Sequence, residues 1–124
     1  MNDCDNDVLF EAVDPNKYPI VLTSERYRHI ISNDSNHQAH PEFTPEEIKA
    51  TIENPILIYE GKERDSDVYA SKSCSQYPYL NLLVAVATYT SGGDIRTAHL
   101  AKDIFDGAKK GGAIKYANYK PGLR

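Results

Sequence analysis

Along the 124-residue chain, helical spacing of apolar positions comes first and strict alternation follows. Tyr18–Leu22 is a short apolar strand candidate. Thr23 then has the character of an N-cap, with Leu22 before it and Tyr27 at the fourth helical position, the spacing of a hydrophobic staple. The helix so predicted runs from Ser24 to about Ser32. Tyr27, Ile30 and Ile31 form its apolar stripe at i, i+3, i+4. At about 100° per residue, His29 lies nearly opposite that stripe, so it is not an obvious core residue of this helix. A polar loop, Asn33 to Phe43, leads to Thr44-Pro45-Glu46-Glu47. Thr44 caps, Pro45 takes the first helical position, and Glu47 completes a capping box. This second helix buries Ile48 and Ile52. It stops at Asn54-Pro55, because proline cannot continue it.

Alternation governs the rest. Ile56–Glu60, Val68–Ser75, Leu80–Thr90 and Ile95–Ala101 are strand candidates. The charged stretch GKERDSD and the hairpin signal Ser91-Gly92-Gly93-Asp94 lie between them. In Leu80–Thr90 one face carries Leu80, Leu82, Val84, Val86 and Thr88. The other carries Leu83, Ala85, Ala87 and Tyr89. A Gly- and Lys-rich stretch after Lys102 precedes a candidate edge strand, Ala113–Asn118. The expected fold class is α+β: two N-terminal helices packed on a four-stranded antiparallel β-sheet, with Leu80–Thr90 central. The opposite sheet face is expected to stay free for a ligand or partner. Residues 1–17 read as an acidic arm in which Val8–Val13 alone can pair. Residues 18–124 read as one domain with a basic tail from about residue 102.

Composition narrows the class without identifying a function. No apolar run approaches the roughly 20 residues of a membrane helix. The opening MNDCDND is acidic and polar, unlike a secretory leader, so the expected location is cytoplasmic. Two unpatterned cysteines, Cys4 and Cys74, read as free thiols. Net charge is −4, but its distribution is uneven. Residues 93–124 carry seven basic and three acidic side chains, a net +4, which leaves −8 on residues 1–92. A basic segment on an acidic body suits a phosphate backbone, or simply neutralises that body. Nine Tyr against three Phe and no Trp suit both strands and polar clefts.

The candidate chemistry rests on four histidines: His29, His37, His40 and His99. His37 and His40 have a metal-pair spacing but no third ligand at useful distance, so neither metal nor cofactor is expected. No phosphate-binding glycine loop, G-x-S-x-G or H-E-x-x-H is present. Histidine, Arg, Lys, Tyr and Thr without a metal set suit metal-independent RNA cleavage. There the 2′-OH is the nucleophile, so the protein needs only proton transfer and stabilisation of the phosphorane.

The run Leu22-Thr23-Ser24-Glu25-Arg26-Tyr27-Arg28-His29-Ile30 resembles the helix-one pattern of the phage-type barnase–EndoU–colicin–RelE-like (BECR-fold) nucleases. His40-Pro41-Glu42 resembles that family's H-P-E. Ile48 to Pro55 followed by Tyr59 resembles its helix-two exit into a strand. Ile95-Arg96-Thr97-Ala98-His99 resembles its last-strand pattern of Thr-Ala and an aromatic ring. The resemblance covers about residues 18–102. It implies two helices on a four-stranded antiparallel sheet and an endoribonuclease, toxin- or phage-effector-like. Two features depart from the pattern: ten residues separate His29 from His40, and His99 stands where the family has Tyr.

Carried over by position, His29, His40, His99 and Thr97 are the candidate catalytic residues. Arg26 and Arg28 are candidate substrate contacts. Tyr69 and Lys72, in the second strand of the meander, are added as residues able to reach the same cleft. RNA is the expected partner, tRNA being one candidate, with a cognate inhibitor protein as a second and no membrane. Two further classes stand beside the enzyme. One is a non-catalytic nucleic-acid- or protein-binding module. The other is an inhibitor- or immunity-type protein whose acidic body masks a basic partner.

Overall fold

Val8–Val13 (β1) and Pro19–Thr23 (β2) form an antiparallel hairpin. Its turn is organised by Asp14, whose Oδ1 accepts from the backbone N–H of Asn16 and of Tyr18, each at 2.9 Å. The computed structural model describes residues 7–31, 44–72 and 80–118. The helix Ser24–Ile31 (α1) starts directly from β2, and Thr23 Oγ1 accepts from the Arg26 N–H at 3.2 Å. The helix Pro45–Glu53 (α2) carries the full capping box. Thr44 Oγ1 accepts from Glu47 N–H at 3.1 Å, and Glu47 Oε1 accepts from Thr44 N–H at 3.0 Å. Each such contact satisfies a donor that the first turn leaves without an intrahelical partner.

Leu57–Glu60 (β3), Ser66–Lys72 (β4), Asn81–Tyr89 (β5) and Gly92–Ala101 (β6) pair antiparallel in sequence order. Ile114–Ala117 (β7) pairs antiparallel with β3. The whole is one seven-stranded sheet, ordered β1-β2-β6-β5-β4-β3-β7, with β5 in the middle.

The expectation of two helices on a four-stranded antiparallel sheet is therefore corrected. The sheet is mixed, because β2 runs parallel to β6 through Ile20↔Gly93 and Val21↔Asp94. The physical reason lies in the edges. A four-stranded meander leaves the outer sides of β3 and β6 with unpaired backbone groups. Here β7 covers the first, and the β1–β2 hairpin covers the second. The two glycines expected in a turn belong to β6 instead, Thr90 and Ser91 making the turn. A Cβ on Gly92 meets Pro19 O at 2.5 Å, and one on Gly93 meets Val86 Cγ1 at 2.7 Å. Glycine at 92 lets β2 approach, and glycine at 93 lets β6 lie close against β5.

Both helices pack on one face. Ile30, Ile48 and Ile52 join Ile20, Leu22, Ile58, Tyr69, Leu82, Val84, Val86, Ile95 and Ala98. The opposite face is not left free, which is a second correction. The turns after β6 fold back over it, placing Ile104 and Ala108 against Leu57, Tyr59, Val68, Ala70 and Leu83. Tyr59 pins this cover, its OH donating to Ile104 O at 2.6 Å and its ring lying 5.2 Å from that of Phe105. The cover leaves open the part of the face over Ala85 and Ala87.

Candidate active-site cleft

Short side chains make this opening. Ala85 and Ala87 lie on the β5 face opposite the helices and fill little of the space above the sheet. The resulting cleft, about 550 Å³, is walled by the β3–β4 turn, β6 and the turns after β6. A bulge in the β5–β6 register decides what β6 presents there. Ala85 pairs with Thr97 but Val86 pairs with Ile95, so Arg96 is an extra residue. Ile95 turns into the helix-side core, whereas Arg96, Thr97 and His99 line the cleft. A bulge of this kind re-aims side chains that strict alternation sends to the other face.

Across the cleft, Asp106 Oδ2 stands 3.3 Å from His99 Nε2. The cover over the second face positions this carboxylate, because the Tyr59–Ile104 hydrogen bond anchors the turn that bears it. Lys62 and Arg64 reach the rim from the β3–β4 turn, together with Glu63. Three cations, a hydroxyl and a carboxylate-paired imidazole thus share one opening. That set can hold a phosphodiester and move a proton beside it.

The structure brings Thr97 and His99 together. It does not bring His29 to them: α1 packs on the helix-side face through Ile30, and Thr97 and His99 line the other face. His29 and Arg28 are exposed on α1, and Arg26 is half-buried there. Tyr69 is 2% exposed in the helix-side core, away from the cleft. Lys72 closes β4 opposite Asn81, its side chain lying outside the described part. His40 and His37 lie outside the described residues. Arg96, Asp106, Lys62 and Arg64 were not singled out from the sequence. The bulge that turns Arg96 inward has no local sequence mark, and Asp106 meets His99 only after the chain doubles back.

A second opening lies on the helix-side face, beyond the helices. It measures about 440 Å³, and Asp14, Asp67, Tyr69 and Lys115 are among its walls. Tyr69 OH donates to Asp14 Oδ2 at 2.5 Å. Burial, and then Asp14 itself, push the Tyr69 hydroxyl far above the usual phenol range. Lys115 Nζ stands 2.9 Å from Asp67 Oδ1.

Among the described residues, no group of three or more His, Cys, Asp or Glu is placed to hold a metal ion. No helix among them is long and apolar enough to cross a membrane. Comparisons with family models, with curated proteins and with solved structures find no match.

Proposed function

We propose that the protein is an endoribonuclease that cleaves RNA by attack of the 2′-OH, with His99 as the proton-transferring group. The supporting observation is the His99–Asp106 pair beside Thr97 and Arg96 in one open cleft. The His99 ring accepts the 2′-OH proton as O2′ bonds to phosphorus. The P–O5′ bond breaks, and the leaving oxygen takes a proton from solvent. The products are a 2′,3′-cyclic phosphate and a 5′-OH. The substrate supplies its own nucleophile, so this sequence balances without a metal. Asp106 positions the imidazole. Arg96 and the Thr97 hydroxyl meet the phosphorane oxygens, where charge accumulates.

Incubating the full chain with total RNA and with tRNA in EDTA tests this reading. Fragments ending in 2′,3′-cyclic phosphate are expected. His99→Ala should lower the rate by about 10²–10⁴-fold with the fold intact. Absence of cleavage by the wild-type chain overturns the enzymatic reading. RNA retained without cleavage then favours the binding module.

A further inference from the structure

The two faces of β5 are unlike. On the helix side it carries Leu82, Val84 and Val86, all buried in the core. On the cleft side Leu83 is sealed beneath the turns after β6, while Ala85 and Ala87 are half-buried in the part that this cover leaves open. Alanine is a poor strand former. In the middle of a seven-stranded sheet it also gives up the packing that a larger side chain would supply. What two alanines supply instead is room.

The strand register sets what adjoins that room. Ala85 pairs with Thr97 and Leu83 with His99. The polar groups of β6 and the bare strip of β5 therefore lie side by side, about 4.8 Å apart as neighbouring strands do. On the other side of the strip, Ala85 pairs with Val68. The charges stand off it: Arg96 on β6, Lys62, Glu63 and Arg64 on the β3–β4 turn, and Asp106 in the turns after β6. The floor is apolar and the walls are charged. A single nucleotide divides in the same way, into an anionic phosphate and a flat ring with an apolar face. With the 2′-OH at His99 and the phosphate at Arg96 and Thr97, the base on the adjacent ribose carbon falls over β5. The cleft, about 550 Å³, is large enough to hold it.

We propose that Ala85 and Ala87 form the floor of a nucleobase seat, occupied by the base of the nucleotide that supplies the 2′-OH. The seat rests on the reading of the cleft as a ribonuclease site and adds a substrate class to it. That class is RNA unpaired at this nucleotide, because a base lying on the strip has left both its stack and its partner.

DNA oligonucleotides containing one ribonucleotide, which carries each of the four bases in turn or none, test this with the full chain. The best base-bearing substrate should exceed the abasic one by at least about tenfold in kcat/KM, the worth of burying one apolar ring face. Annealing a DNA complement across the ribonucleotide should suppress its cleavage. Ala85→Leu fills the seat, so the base-bearing and abasic rates should converge through loss of the former. A change that only weakened the phosphate contact would lower both rates and keep their ratio. Thermal melting checks that Ala85→Leu folds, and the wild-type comparison stands without that variant. Equal cleavage of base-bearing and abasic substrates by wild type, undiminished cleavage of the annealed one, or a retained ratio in folded Ala85→Leu overturns the seat and leaves the nuclease standing. So does cleavage of total RNA with none of the chimeras cut, which puts recognition outside this nucleotide. No cleavage of any substrate, total RNA included, overturns the enzymatic reading and the seat with it.

Discussion

Tyr69 on β4 donates its hydroxyl to Asp14 Oδ2 at 2.5 Å, tying the middle of the sheet to the β1–β2 turn 55 residues earlier. Asp14 has its other oxygen on two backbone N–H groups, so one carboxylate shapes the turn and docks it. Tyr69→Phe keeps the ring in the core but leaves Asp14 Oδ2 without its donor. The expected loss is about 1–3 kcal/mol, the cost of an unsatisfied buried acceptor. Urea unfolding should show a lower midpoint with an unchanged slope. A midpoint equal to wild type would mean that water replaces the phenol at no cost.

Alkaline stability should depend on Tyr59. Its hydroxyl is pushed up to about 12, first by burial, with Asp103 and Asp106 adding to the shift and a hydrogen bond from Gly107 N–H opposing it. The folded state therefore favours the neutral phenol. Its contribution is fully present below the ordinary value near 10 and declines as pH rises from about 10 to about 12. Urea midpoints measured across that window should fall in the wild type. Tyr59→Phe, which cannot ionise, should show a shallower fall from a lower starting stability.

Gly93→Ala should destabilise by about 1–3 kcal/mol through overpacking. The added Cβ meets Val86 Cγ1 at 2.7 Å, Ala87 O at 2.8 Å and Ile20 Cδ1 at 3.2 Å. The two closest neighbours belong to β5 and the third to β2, so the strain falls first on the antiparallel β5–β6 pairing. Hydrogen exchange should quicken first where β5 and β6 pair near Val86 and Ala87. Uniform quickening across all strands would assign the loss to the core as a whole.

Thr44→Ala removes the side chain that accepts from Glu47 N–H. About 1 kcal/mol should be lost. Thr44→Ser should restore most of it, since a serine oxygen can accept the same bond. Thermal melts of the three proteins decide this.

Within the cleft, Arg96→Gln should slow RNA cleavage by removing a positive charge from the phosphate, and the effect should lessen at high salt. His29→Ala should cleave within about threefold of wild type, well short of the loss expected for a proton-transfer group, because α1 lies across the sheet from Thr97 and His99. Loss of cleavage in His29→Ala comparable to that of His99→Ala would move the chemistry to the helix side.

Local signals carried much of the fold. The capping box at Thr44 and Glu47, the buried Ile48 and Ile52, and the two-faced pattern of β5 all depend on near neighbours in sequence, and each stands in the structure. The shared cleft face of Thr97 and His99 was legible for the same reason: side chains two apart on a strand point the same way. What strands pair with is not a local property. Val8–Val13 was legible as able to pair and Ala113–Asn118 as a candidate edge strand, and both stand in the sheet, but nothing local states which strand each one joins. Together with Pro19–Thr23 they turn four strands into seven, and Pro19–Thr23 brings the parallel pair into the sheet. The site followed the same division. Histidine at 99 could be read as chemistry, but its partner Asp106 arrives by a chain reversal, and Arg96 enters through a bulge. In sequence Asp14 lies in the acidic arm and Asp67 in the charged stretch GKERDSD. They become cavity walls because folding brings the β1–β2 turn over β4, and the cost of burying charge is then met by Tyr69 and two backbone N–H groups at Asp14 and by Lys115 at Asp67.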